Sequence, residues 1–233
     1  IERSGTARGY DTLDVYLTGF GPFGDISDNP TMHLVPAVSP SNPRVRVQSR
    51  NILRVSIGAV QQYVHDIIAA SCKDAPVQYN NNNHIVVDSG VPQRRTLRLL
   101  LSLGVNSSAD RIYFEQAYYN KADFRIPDVD GNQPRNQPID ANYVLDTRFL
   151  SKVDGYAIVH ELQQRGFAVG LSVDPGRYVC NYIYCYGGLT LATQNDFLSV
   201  FVHVPVFEVL SAPEQLIIIN GIVDAIGEMY LNV

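Results

Sequence analysis

Between Phe167 and Gln194 the sequence reads as a strand, a tight turn and a helix. Phe167 to Val173 is an apolar run with β-branched residues, the length of a buried strand. Asp174-Pro175-Gly176 is a turn signal, and Arg177 to Gln194 contains no proline and is long enough for a helix. A strand that feeds a helix through so short a turn belongs in a layered α/β protein. It also delivers Cys180 into the first helical turn. There the unpaired backbone N–H groups and the helix dipole favour negative charge, so a thiolate is stabilised. The same N–H groups can hold the oxyanion that forms when a carbonyl is attacked. Against this stands the commoner use of a free cysteine as a small buried apolar residue.

The rest of the chain repeats the alternation. Leu13 to Thr18 reads as a short strand, and Thr31 to Val38 as a short helix. Arg44 to Val55 reads as a second strand region broken at Asn51. Ala59 to Ser71 has helical spacing in Val60, Val64, Ile67 and Ile68, with His65 on its solvated side. Gln78 to Asn83 is loop by composition, and His84 to Val87 has strand character. Thr96 to Leu103 reads as a central strand, and Arg111 to Tyr119 as one further segment. Val144 to Phe149 is indistinct. Asp154 to Arg165 predicts a helix with Tyr156, Ile158, Val159 and Leu162 inward. Leu198 to Pro205 is the last strand and Pro213 to Leu231 the last helix. The fold class expected is a single three-layer α/β/α sandwich with a twisted, mostly parallel mixed sheet. Residues 1–12 are expected to form a loose tail and 13–233 one domain, since no linker or repeat divides them.

Several function classes are disfavoured. With 18 Lys and Arg against 23 Asp and Glu the chain carries a net charge of −5, which does not suit nucleic acid. No apolar run reaches membrane-spanning length, so a cytoplasmic protein without membrane contact is expected. Cys72, Cys180 and Cys185 form neither a disulfide framework nor a zinc pattern. His160-Glu161 has no second histidine at the spacing a zinc helix needs, so no metal is expected. Gly19-Phe20-Gly21-Pro22-Phe23-Gly24 formally matches a dinucleotide fingerprint. But Pro22 removes a backbone donor where a phosphate needs one, and Asp25 to Pro30 follows in place of a helix start. A dinucleotide-dependent oxidoreductase is therefore the weaker reading.

Gly176-Arg177-Tyr178-Val179-Cys180-Asn181, preceded by Ser172, resembles the nucleophile segment of pyroglutamyl peptidase type I, a cysteine peptidase family. Leu17 to Gly24 with Asn29-Pro30 resembles that family's ring-binding loop. Phe201-Val202-His203-Val204-Pro205 resembles its catalytic histidine segment. Taken alone, a lone histidine in an apolar strand is usually a satisfied core residue. Arg125-Ile126-Pro127-Asp128 with Gly131-Asn132-Gln133-Pro134 matches a further loop, whose offset picks out Glu115 as the active-site glutamate. Tyr113 and Gln116 depart from the usual surroundings of that glutamate.

The resemblance implies a Cys180–His203–Glu115 triad with Arg125 assisting the oxyanion, and it implies no cofactor. It implies that Phe20 and Phe23 flank a pyroglutamyl ring and that Asn29 orders the pocket. Val105, where some members carry glutamine, and Val179 complete the implied substrate contacts. The substrates implied are peptides with an N-terminal pyroglutamyl residue. A catalytically silent peptide-binding relative is the other reading of the same residues.

Overall fold

The computed structural model describes residues 9–73, 94–194 and 196–232. The expected loop at 78–83 and strand at 84–87 lie outside them. Eight strands and five helices are described, and six of the strands form one sheet in the order β2-β1-β3-β8-β4-β7. β1 (Thr12–Phe20), β2 (Val45–Leu53), β3 (Thr96–Val105) and β8 (Phe197–Val204) are mutually parallel. β4 (Ile112–Glu115) runs antiparallel to β8 and parallel to β7 (Val169–Ser172). The mostly parallel, mixed sheet is thus as expected. The 23-residue spacing from Cys180 to His203 suits a helix and return loop between adjacent strands, but β7 and β8, which flank the Cys180 helix, are separated by β4 and are not neighbours.

Period-two side-chain alternation assigns each face of the sheet to its own helices. Leu13, Val15 and Leu17 of β1, with Leu99, Leu101, Val200 and Val202, pack against α1 (Thr31–Ala37), α3 (Gly155–Gln164) and α5 (Ala212–Tyr230). The opposite face, with Tyr16, Phe20, Leu100 and Phe201, packs against α2 (Ile57–Lys73) and α4 (Val179–Leu191). The polar residues Glu115 and His203 share this second face, because they are two residues on from Tyr113 and Phe201 in their strands. The sheet therefore hides its charged pair under the helix that carries Cys180.

Several local expectations are corrected. Tyr156 is 67% exposed instead of inward. The buried stripe of α3 is Gly155, Ile158, Val159 and Leu162, and Tyr156 lies one residue, about 100°, off that stripe. Asn51 does not break β2, which stays paired with β1 throughout; the one irregularity is a register shift between Val15 and Tyr16. Arg111 to Tyr119 is not one element. It divides at Gln116 into β4 and β5 (Ala117–Tyr119), and β5 pairs with β6 (Arg148–Leu150) in a separate ribbon. The Gln116 side chain explains the division. It donates to the Ser151 and Val153 carbonyls and accepts from the Gly155 N–H, tying the strand end to the entry of α3.

Tyr10 and Asp11, expected in the loose tail, are tied to the domain. Tyr10 bridges to Leu231 and its hydroxyl donates to Asp196, while Asp11 exchanges hydrogen bonds with Arg95.

Candidate active site

The turn that leads into Cys180 is built from short-range bonds. Ser172 Oγ accepts from the Asp174 N–H, and Asp174 Oδ1 accepts from the Gly176 N–H. Gly176 takes φ +76°, a left-handed conformation that costs glycine nothing. The chain then enters α4 at Tyr178, which caps the helix without a side-chain hydrogen bond. Cys180 is the second helical residue and is partly exposed, while Cys185, one turn on, is fully buried. Burial raises the Cys185 thiol to about 12, which keeps it protonated and unreactive at neutral pH.

Cys180 sits directly over β3. A Cβ added at Gly104 would lie 2.9 Å from Cys180 Sγ and 2.6 Å from Phe201 Cζ. Gly104 is therefore required by the close approach of the sulfur. Gly104 pairs with His203 across β3 and β8, so the same row of the sheet brings the imidazole alongside.

His203 is 6% exposed and Glu115 2%. His203 Nδ1 lies 2.7 Å from Glu115 Oε1. Glu115 is diagonal to His203 across the antiparallel β4–β8 pair, opposite Phe201. Its second oxygen, Oε2, is buried with no hydrogen-bond partner among the described residues, so His203 is the partner of its charge. The Tyr184 hydroxyl donates to the Glu115 main-chain carbonyl at 2.8 Å and fixes the strand end. Burial by itself disfavours an imidazolium, but hydrogen bonding and charge from Cys180 and Glu115 outweigh it and raise His203 to about 9.

A cleft of about 380 Å³ opens over Cys180 and His203. Its apolar walls are Phe23, Ile26, Val105 and Tyr178, and Arg125 stands at its edge. The Phe23 loop is a tight hairpin in which Phe23 and Ile26 exchange backbone hydrogen bonds around Gly24 at φ +50°. Asn29 is fully buried; its amide donates to the Gly21 carbonyl and its oxygen accepts from the Thr31 N–H. Arg125 is exposed and, among the described residues, has no ion-pair partner. Its carbonyl is held by Gln133 and Arg135.

Cys180, His203, Glu115, Arg125, Phe23 and Val105 are thus brought to one place. Phe20 and Val179 are not on the cleft wall. They are 3% and 1% exposed and pack beneath it in a cluster with Ile183 and Phe201. Sequence reasoning missed Tyr178, which lines the cleft with its ring 6.0 Å from Phe23. Its position, two residues before Cys180 and at the helix cap, was the available signal.

The family model of pyroglutamyl peptidases matches residues 65–222. The chain belongs to that family. It is 31% identical over 203 residues to the pyrrolidone-carboxylate peptidase of Vibrio vulnificus, covering 86% of this chain and 80% of the relative. To the enzyme of that name from Brevibacillus brevis it is 28% identical over 196 residues, covering 82% and 77%. The fold matches a mutant pyrrolidone carboxyl peptidase of Pyrococcus furiosus with a TM-score of 0.72 at 21% identity, over 92% of this chain and 98% of that one. The corresponding protein of Thermococcus litoralis gives 0.70 at 21% identity, over 94% and 97%. No described helix is long and apolar enough to cross a membrane.

Proposed function

We propose that this chain is a cysteine exopeptidase that hydrolyses the amide bond after an N-terminal pyroglutamyl residue, using Cys180, His203 and Glu115. One observation carries the assignment of residues: a buried Glu115–His203 pair at 2.7 Å whose imidazole faces a partly exposed Cys180 at the floor of a cleft. A nucleophile, a base and a group that orients the base are the parts a thiol peptidase needs. Family membership and the relatives' names support the pyroglutamyl substrate class.

His203 takes the Cys180 proton, giving a thiolate and an imidazolium that Glu115 holds in place. The thiolate attacks the pyroglutamyl carbonyl carbon, forming a C–S bond and an oxyanion. On this reading the first-turn amides of α4 and the Arg125 guanidinium at the cleft receive that charge. The C–N bond then breaks as His203 gives its proton to the leaving amine. Water, deprotonated by His203, attacks the thioester and releases pyroglutamate.

The ring is neutral, and the apolar walls of Phe23, Ile26, Val105 and Tyr178 suit a neutral lactam. Asn29 acts by fixing the loop that carries Phe23, and Phe20 and Val179 act by supporting the wall from below. Residues 13–233 work as one domain on this reading. A cytoplasmic setting suits it as well, because a reducing compartment keeps the Cys180 thiol free.

The test is release of a fluorophore from a pyroglutamyl amide and from the matched prolyl amide. An N-terminal proline is the same ring with a positive charge, for which the apolar walls offer no partner, and Asp174, which also lines the cleft, is already paired with Arg177. The expected preference for pyroglutamyl is at least about a thousandfold in kcat/KM. Cleavage of both within about tenfold would make the chain some other aminopeptidase.

A further inference from the structure

We propose that Tyr119 and Arg177 are positioning residues for the nucleophile, a clamp that fixes the turn carrying Cys180 to the ribbon formed by β5 and β6. The proposal rests on Cys180 being the nucleophile. Tyr119 holds the turn at three points. Its hydroxyl donates to the Val173 carbonyl at 3.0 Å, where the turn leaves β7. Its ring lies 3.8 Å below the Arg177 guanidinium, in the middle of the turn. Its main-chain N–H and carbonyl both bond to the Asn181 side chain, the residue after Cys180, at 2.9 Å each. Asn181 is fully buried and also donates to the Lys121 carbonyl.

Arg177 completes the arrangement. Its Nη1 donates to Asp174 Oδ1 at 2.6 Å and to the Gly176 carbonyl at 2.7 Å, closing the turn on itself. Its Nε lies 3.6 Å from Asp146 Oδ1, and the other oxygen of Asp146 lies 3.5 Å from Lys121 Nζ. Asp146 takes φ +64°, a left-handed conformation uncommon outside glycine. The Arg177 carbonyl accepts from the Asp123 N–H at 3.0 Å. Among the described residues, and apart from the Tyr178 hydroxyl on the Pro127 carbonyl, the hydrogen bonds and ion pairs that leave the turn end on the 119–123 segment or on Asp146.

The consequence is kinetic. A Cβ added at Gly176 would meet nothing within 4 Å, so no neighbour presses on the turn from that side. With the clamp loosened, the turn and the first turn of α4 move together, and so do Cys180 and the amides that face the oxyanion. A misplacement of about 1 Å in reacting groups costs on the order of a hundredfold in rate. Of the apolar walls, Phe23, Ile26 and Val105 belong to other segments and stay put, while Tyr178 moves with the turn but keeps its hydroxyl on the Pro127 carbonyl. The clamp therefore acts more on kcat than on KM.

The experiment measures kcat and KM on the fluorogenic pyroglutamyl amide, and the rate of Cys180 alkylation by iodoacetamide, for four variants and Cys180→Ala. Tyr119→Phe removes only the bond to Val173, and a fall in kcat of about threefold to tenfold is expected; Arg177→Met should cost about ten- to a hundredfold. KM should stay within about threefold for both, and Cys180 alkylation should slow in parallel with kcat. Arg177→Lys keeps the charge toward Asp174 without the flat fork, and should recover part of the loss. The double variant should lose less than the product of the single losses, because both hold the same turn against the same ribbon. If Tyr119→Phe and Arg177→Met keep kcat within about twofold, or lose activity only through KM or melting, the clamp is overturned while Cys180→Ala stays inactive. Wild-type turnover by Cys180→Ala would instead overturn the nucleophile assignment, and the clamp with it.

Discussion

Glu115 Oε1 and His203 Nδ1 meet at 2.7 Å across two antiparallel strands, and the other oxygen of Glu115 has no described hydrogen-bond partner. A buried carboxylate with one partner puts its stabilisation into that partner's cation. Glu115→Gln keeps the shape and removes the charge. The expected fall in kcat is roughly ten- to a thousandfold, smaller than for Cys180→Ala, with the far-UV circular dichroism unchanged. Wild-type kcat in this variant would mean that Glu115 does not orient or charge His203.

The pH profile follows from the same pair. His203 is raised to about 9, so the imidazolium persists through neutral pH and is lost as pH rises through that value. The kcat/KM profile should fall on its alkaline side near pH 9, and in Glu115→Gln that limb should move to lower pH. Stability has the same sign. The folded protein holds a proton that an unfolded histidine releases near 6.5, so the contribution is complete below that pH and disappears through about 9. Urea midpoints of the wild type measured from pH 6 to 10 should decline across that window, and the decline should be shallower in Glu115→Gln.

Phe20 and Phe23 lie three residues apart and should respond oppositely. Phe20 is 3% exposed under the cleft, so Phe20→Ala should cost about 3 kcal/mol or more of stability, as large core deletions do. Phe23 lines the cleft and is partly exposed, so Phe23→Ala should raise KM for the pyroglutamyl amide with a stability loss of under about 1 kcal/mol. Thermal melts and steady-state kinetics on both variants check this. A raised KM in a fully stable Phe20→Ala would place that ring on the substrate after all.

What the sequence made legible was set by local signals. The Asp174-Pro175-Gly176 turn and the proline-free stretch behind it put Cys180 at a helix start, and it is the second residue of α4. His203 before Pro205 marked the end of a strand, and β8 ends at Val204. The direction of β4 was hidden, because four residues carry no mark of which way they run in a sheet. So β7 and β8 looked adjacent when β4 lies between them. Gln116 looked like a departure from pattern, and its three hydrogen bonds to residues 151–155 depend on contacts far off in the chain. Phe20 and Phe23 were indistinguishable by composition. The difference comes from the β1 pleat, which turns Phe20 into the core, and from the Gly24 hairpin, which turns Phe23 out.

The central claim is that Cys180 carries the acyl group. The most direct measurement mixes the protein with an activated pyroglutamyl ester, quenches in acid within milliseconds, and locates the pyroglutamyl group by peptide mapping. The account predicts a thioester on the peptide containing Cys180, formed at a rate at least equal to kcat and absent from Cys180→Ala. An acyl group on Cys185 or any other residue, or undiminished turnover of the amide by Cys180→Ala, would contradict it.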